Sequence, residues 1–367
     1  MTELLAKADI EAAVRVLRSG QLGGPDHPEV RRFESALAQQ SGVPHAVAVG
    51  SGTAAIHCAL IALGIGPGDE VIVPAHTFIA TATPVLMTGA TPVVVDIDDS
   101  TYCIDPPAVH SAVSSRTRAI IAVHINGHPA LVDQLPQDVP LISDACQAHG
   151  ARLFGQHVGA MGVASAFSFW QDKLITAAGE GGAVLTSDDS IADRIRLIRS
   201  HAMEQIPSSP DFHHVTLGYN YRLTGVQAAV GHSQLSRLED SVRERRARAL
   251  RLAELLTEVP GIKPPIEREG AQHAFWKFVV EVEAERFEGG RAGLMMALAE
   301  FGVRTAPRYP VPLTRQPVLG GGNARLMSCP RAESLADRLL TIPLPAEAGT
   351  IDGLADLVKK AADAQRR

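Results

Sequence analysis

Leu141-Ile142-Ser143-Asp144-Ala145-Cys146-Gln147-Ala148-His149-Gly150 and, further along, Phe167-Ser168-Phe169-Trp170-Gln171-Asp172-Lys173 are the stretches whose reading decides the fold. Each starts as a short apolar strand and runs into polar, reactive residues. An acid closes the first strand and a lysine closes the second segment. Lys173 has apolar neighbours and a glycine run after it (Gly179, Gly181, Gly182), a setting that suits an amine able to capture a carbonyl. The spacing of Asp144 and Lys173 allows both to sit on neighbouring strands of one sheet. The expectation is that they hold opposite ends of one cofactor.

Working outward, the same alternation of short apolar strands and helices continues in both directions. Helices are expected at 9–19, with Asp9 as N-cap and Gly20 as stop, and at 28–41. Strands follow at 45–49, 70–73, 91–96, 119–124, 141–143, 164–169 and 183–186, with helices from Gly52 to Leu63, at 77–88 and at 105–113. Continuous apolar strands separated by helices predict an α/β fold with a large, mostly parallel central sheet flanked by helices. Ligands of such sheets bind beyond the carboxyl ends of the strands, where Ser51, Thr53, Phe78, Asp144, Ser168 and Lys173 fall. After 188 the alternation stops. Residues 190–200 read as helix, 204–219 as irregular and polar, and 223–258 as one long helical stretch. A smaller α+β segment follows, with a strand at 276–282, a helix at 291–301, a strand near 303–306, and helices near 331–340 and 350–363. The predicted division is a large domain over 1–240, including the N-terminal helices, and a small α+β domain over 241–367.

Composition narrows the function. Hydrophobic residues make up 46% and charged residues 20% of the 367, ordinary for a globular chain. A formal charge of −6 argues against nucleic acid as a partner. The arginines at 243, 245, 246, 248 and 251 are interleaved with acids and read as a solvated helix face. Four scattered cysteines have no metal-ligand spacing, so neither a metal site nor a disulfide framework is expected, and free thiols suit a cytoplasmic setting. Val71–Val95 carries no charge, but Pro74, Pro84, Pro92 and Gly89 interrupt it. It reads as strand, helix and strand, so no membrane is expected as a partner.

Taken singly, the reactive residues are ambiguous. Gly50-Ser51-Gly52-Thr53 opens a helix, where free amides and the helix dipole attract phosphate; it also fits a plain hydroxyl cap. Asp144 ends a buried strand and needs a cation, either a structural arginine or lysine or a protonated pyridine nitrogen. Lys173 fits a Schiff-base lysine or a surface lysine at a strand end. Phe78 fits a ring-stacking residue or core, and His149 a substrate contact or a satisfied loop histidine. Their order is more informative. A phosphate-type loop, an aromatic ring, an acid and a lysine succeed one another at strand ends of one domain.

That order resembles the fold-type I pyridoxal phosphate enzymes, and more closely the DegT/StrS family of sugar and aminocyclitol aminotransferases. The matching motifs are Ser51-Gly52-Thr53-Ala54-Ala55, Gly66-Pro67-Gly68-Asp69-Glu70-Val71-Ile72-Val73-Pro74, Thr77-Phe78, Asp144 to Gly150, and Phe167-Ser168-Phe169 ahead of Lys173. Gly179-Glu180-Gly181-Gly182 and Gly218-Tyr219-Asn220-Tyr221-Arg222-Leu223 complete them.

The resemblance implies pyridoxal 5'-phosphate as cofactor, a Schiff base on Lys173, Asp144 at the pyridinium nitrogen, Gln147 beside the ring and its 3-hydroxyl, and Phe78 on the ring face. Ser51, Gly52, Thr53 and Ser168 would hold the phosphate. Lys173, Asp144 and His149 are the expected catalytic residues. Asn220 would reach the phosphate of a neighbouring subunit, which implies a homodimer with shared sites. The implied reaction moves an amino group from glutamate or glutamine to a keto sugar or cyclitol. Many nucleotide-sugar members have Pro-Leu-His where this chain has Pro312-Leu313-Thr314. The alternatives are a dehydratase or ring-forming enzyme of the same family and a non-catalytic, cofactor-binding regulator. Dehydratases typically carry histidine in place of the lysine.

Overall fold

The computed structural model describes residues 5–346 and 350–366. Seven strands of the large sheet come from residues 45–186: β1 (His45–Val49), β2 (Glu70–Pro74), β3 (Thr91–Val95), β4 (Thr117–Val123), β5 (Leu141–Asp144), β6 (Ala164–Ser168) and β7 (Gly182–Thr186). Their order is β1-β7-β6-β5-β4-β2-β3, and Arg325–Leu326 adds an eighth, parallel edge strand beside β3. The pairings between β3 and β6 are parallel. β7 runs antiparallel to both β6 and β1, so β1 points the same way as β6. The carboxyl ends of β1, β5 and β6 therefore share one edge. Val47, Ile72, Val73, Val93, Ile120, Ile121 and Ile142 on these strands have no exposed surface. Each such Val or Ile contributes about 1.5–3 kcal/mol by leaving water, which is why these strands are apolar over most of their length.

Helices cover the sheet. α1 (Lys7–Ser19), α2 (Pro28–Ser41) and α3 (Gly52–Ala62) come first, then α4 (Asp189–Ile198), α5 (Gly225–Leu235) and α6 (Leu238–Leu256). The boundaries of α1 and α2 agree with the sequence pattern to within two residues, and both end at a left-handed glycine, Gly20 and Gly42. Asp9, expected as an N-cap, lies one turn inside α1. It is fully buried and accepts hydrogen bonds from Ser233 Oγ (2.6 Å) and Arg237 Nη2 (2.8 Å).

The stretch 223–258 is two helices. The chain turns at Ser236-Arg237, where Arg237 has φ −111° and ψ 1° and its guanidinium is held by Asp9. The expected helix 77–88 is also broken. Phe78 is extended (ψ 146°), a single 3-10 turn spans Ile79–Thr81, and a short helix spans Thr83–Met87 with Pro84 in its first turn. The stretch expected to be irregular contains a two-stranded hairpin, Met203–Gln205 with Phe212–His214.

The C-terminal part has its own sheet, in which Phe278–Val282 pairs with Leu339–Ile342, and the latter pairs with Ala306–Pro307. The expected helix near 331–340 is confined to Pro330–Leu335 and gives way to that Leu339–Ile342 strand. α7 (Gly290–Glu300) and α8 (Ile351–Ala364) cover it. Apolar residues of α6 serve two cores. Leu238 and Val242 pack with Phe33 and Phe169, and Ala249, Leu252 and Leu256 pack with Phe278 and Leu354. Residues after 240 also return to the large core, through Leu313, Leu319, Cys329 and Leu335.

Candidate active site

The shared carboxyl edge of β1, β5 and β6 opens into a cavity of about 390 Å³. Ser51, Gly52, Thr53, Phe78, Asp144, Gln147, Ser168 and Lys173 all line it, joined by Thr81, Cys146, Trp170, Glu180, Trp276, Arg308 and Tyr309. A larger groove of about 570 Å³, lined mainly by residues 132–141 and 153–163, brings together no comparable set of reactive groups. Of the residues expected from sequence, eight converge on one cavity and two stand outside it. His149 is buried against Phe167 and Phe169, with ring centroids at 5.3 and 5.7 Å, and does not line the cavity. Asn220 is exposed and bridges to Ser200.

Local geometry explains each placement. Ser51 has extended backbone and caps α3, its Oγ accepting from Ala54 N at 3.1 Å. The first amides of the helix, at Gly52 and Thr53, lack carbonyls one turn back and face the cavity end. Gly52 is obligatory there: a Cβ would lie 2.8 Å from Cys146 Sγ and 2.8 Å from Ser168 Cβ. Gly182 is likewise required, because a Cβ would meet Ser51 O at 2.3 Å.

Asp144 closes β5 and is 4% exposed. Thr81 Oγ1 donates to its Oδ2 (3.0 Å) and Cys146 N to its Oδ1 (3.2 Å). Burial pushes its carboxyl above the usual carboxylate range; those hydrogen bonds and the charge of Lys173 pull it back. Among the described residues no cation forms a salt bridge with it. Lys173 lies beyond β6 with Nζ 3.8 Å from the centre of the Trp276 ring. Burial lowers its amine to about 8. Cys146 and Asp144 oppose that shift, while the Arg308 and Lys277 charges add to it. The neighbouring Asp172 is occupied by Lys277 Nζ at 3.1 Å.

Gln147 is fixed from three sides. Its Oε1 accepts from Asn126 N (3.0 Å) and Arg308 Nη2 (2.8 Å), and its Nε2 donates to Tyr309 OH (3.2 Å). Trp276, Arg308 and Tyr309 form the wall supplied by the C-terminal part. Sequence reading missed all three as site residues; the one local signal is Arg308-Tyr309 set between two prolines, with Tyr309 at φ 44°. Thr314, where the sequence departs from Pro-Leu-His, lies away from the cavity lining and donates to Glu333 Oε1 at 3.0 Å.

Residues 3–353 match the DegT/DnrJ/EryC1/StrS aminotransferase family. The chain belongs to that family. It is 39% identical over 346 residues to the dTDP-3-amino-3,4,6-trideoxy-alpha-D-glucose transaminase of Streptomyces venezuelae, covering 92% of this chain and 87% of that one. It is 37% identical over 336 residues to a pleiotropic regulatory protein of Geobacillus stearothermophilus, covering 90% and 87%. Among solved structures, Streptomyces venezuelae DesV in complex with a ketimine intermediate superposes with a TM-score of 0.89 at 37% identity, covering 97% of this chain and 94% of that one. This member is an aminotransferase that depends on pyridoxal phosphate, with a fold-type I architecture.

The cavity of this family member fits that cofactor. Asp144 is a buried carboxylate whose hydrogen-bond donors among the described residues are neutral, an environment that favours a protonated nitrogen as partner. The Gly52 backbone lies so close to Cys146 and Ser168 that nothing larger than hydrogen fits between them. Lys173 has no carboxylate salt bridge among the described residues, and its amine is already displaced toward neutrality.

Proposed function

We propose that this aminotransferase moves an amino group from glutamate or glutamine to the keto group of a nucleotide-linked sugar, in glycan or secondary-metabolite biosynthesis. The observation that carries the chemistry is the convergence of Lys173, Asp144 and the Ser51–Thr53 turn on one cavity. The sugar acceptor rests on the likeness to the dTDP-sugar transaminase. Thr314 does not weigh against it at the site of chemistry, because it turns to Glu333.

Bound pyridoxal phosphate supplies an electron sink that stabilises negative charge at the substrate carbon. The residues of the chain divide the remaining work. Lys173 would hold the cofactor through Nζ, and that nitrogen is the group that would take the proton from the donor Cα. A depressed amine suits this role, since a useful fraction is unprotonated near neutral pH. Asp144 would keep a proton on the ring nitrogen, with Phe78 and Gln147 as its other neighbours in the cavity. Ser51, Gly52, Thr53 and Ser168 would hold the phosphate. Asn220 serves the phosphate of a second copy of the chain, as its exposed position outside its own cavity suggests.

The test is amine formation from a panel of keto-sugar nucleotides, keto-cyclitols and other cyclic ketones, with glutamate and glutamine as donors. Purified protein should be yellow, borohydride should fix the cofactor to Lys173, and Lys173→Ala should abolish transfer. Transfer by the colourless variant overturns the assignment of Lys173. Turnover of cyclitols without nucleotide sugars overturns the acceptor. Cofactor binding without reaction with any donor supports a regulator.

A further inference from the structure

Among the described residues two arginines are nearly inaccessible, Arg199 at 6% and Arg308 at 9% exposure. Arg199 is conventional, with Nη1 donating to Glu34 Oε1 at 2.5 Å. Arg308 forms no salt bridge with any carboxylate among the described residues. Its Nε donates to Asn126 Oδ1 (2.7 Å) and its Nη2 to Gln147 Oε1 (2.8 Å), both neutral. Its guanidinium carbon lies 4.0 Å from the Tyr309 ring centre and 4.9 Å from that of Trp276. Asn126 and Gln147 are themselves tied together through Asn126 N. The side chain is therefore a rigid cation on the cavity wall, clamped by amides and aromatic rings.

A buried charge without a counter-ion is costly. Fixing one so firmly at a binding site is useful when an anion arrives with the substrate. Position selects the anion. Lys173 Nζ and the Arg308 guanidinium lie against the same Trp276 ring, at 3.8 and 4.9 Å, so Arg308 belongs to the reacting end of the cavity. The phosphate cradle is built from other elements, Ser51–Thr53 and Ser168. A nucleotide sugar carries its diphosphate several bonds from its keto carbon. An amino-acid donor carries a carboxylate on the very carbon that bears the reacting amine.

We propose that Arg308 binds the α-carboxylate of the amino donor, in the paired N–H geometry that guanidinium groups offer to carboxylates. Arg308 then selects α-amino acids over simple amines, and Asn126, Gln147, Tyr309 and Trp276 position it. This rests on the aminotransferase reading but not on the acceptor, because donor binding needs no sugar.

The test uses holoenzyme and two ligands, 2-oxoglutarate and succinic semialdehyde, which lacks the α-carboxylate. Their dissociation constants are measured by calorimetry, with the half-saturating L-glutamate concentration of the donor half-reaction, followed by absorbance, alongside. Arg308→Gln should weaken 2-oxoglutarate and raise the half-saturating glutamate concentration of the half-reaction by at least about 30-fold, while succinic semialdehyde changes less than about threefold. Arg308→Lys should recover part of the preference. Should neither fold, Asn126→Ala, which releases Nε without altering Arg308, should still weaken 2-oxoglutarate more than the semialdehyde.

Equal loss for both ligands overturns the proposal in favour of a structural role. Loss of cofactor affinity, or of nucleotide-sugar affinity with 2-oxoglutarate binding intact, overturns it in favour of another anion. Failure of every sugar acceptor, with the donor results as expected, counts against the acceptor alone.

Discussion

Lys173 carries a measurable penalty in the cofactor-free chain. Its amine falls to about 8 from an ordinary 10.5, chiefly through burial. The unfolded chain therefore holds the extra proton between pH 8 and 10.5, and stability rises with pH across that window. The penalty is complete below about 8 and gone above 10.5. Lys173→Met should accordingly stabilise cofactor-free protein at pH 7 by about 2 kcal/mol, after discount for partial solvent access, with the gain fading toward pH 10.5. Urea denaturation at pH 7 and pH 10 checks this; an equal gain at both would point to packing rather than charge. Asp144 was legible in the sequence because it closes an apolar strand, and Lys173 because it follows one closely and precedes a glycine run. Arg308 and Trp276 were not. Their meaning depends on the chain returning, more than a hundred residues later, to face Lys173, and no local period encodes that return. His149 shows the converse: expected among the catalytic residues, it is buried against two phenyl rings and does not line the cavity.

At the scale of an element, α3 joins the sheet to the proposed phosphate cradle through a contact with no spare space. A methyl at residue 52 would press on Cys146 and Ser168 at 2.8 Å, and the helix start would have to move. Gly52→Ala should weaken cofactor binding by about tenfold or more, while costing about 1–3 kcal/mol of stability as an overpacked site. Fluorescence titration with pyridoxal phosphate measures the first effect, and unaltered affinity would show that the helix start does not bind the phosphate. Strands β1 to β7 were legible as elements because apolar runs with turn residues at both ends have few alternatives. Two helices were misread for a tertiary reason. The pattern over 223–258 has no breaker at Ser236-Arg237, yet the chain turns there, where Asp9 of α1 captures Arg237. Near Phe78 the extended backbone that breaks the expected helix also brings the ring to the cavity.

At the scale of the whole molecule, apolar surface lies exposed where a single chain has no use for it. Leu217 is 73% exposed, Phe212 52% and Val215 49%, all on or beside the hairpin ahead of Asn220; Leu17 and Ile10 of α1 are exposed at 55% and 51%. Clustered exposed apolar side chains mark an association surface more often than chance allows. Phe78, at 58%, leaves its face of the cavity open to solvent in one chain. The homodimer proposed above would account for these observations together: the hairpin region would cover apolar surface, and Asn220, which does not line its own cavity, would be available to another. Charges on that surface should then separate the copies without touching any residue that lines the cavity. Phe212→Glu with Leu217→Glu should sediment as a monomer and lose at least about tenfold in transfer activity, with the thermal unfolding of each chain otherwise preserved. Sedimentation velocity and donor turnover on the same preparation decide it. A double variant that remains dimeric places the interface elsewhere, and a monomer with full activity shows that each cavity is complete within one chain.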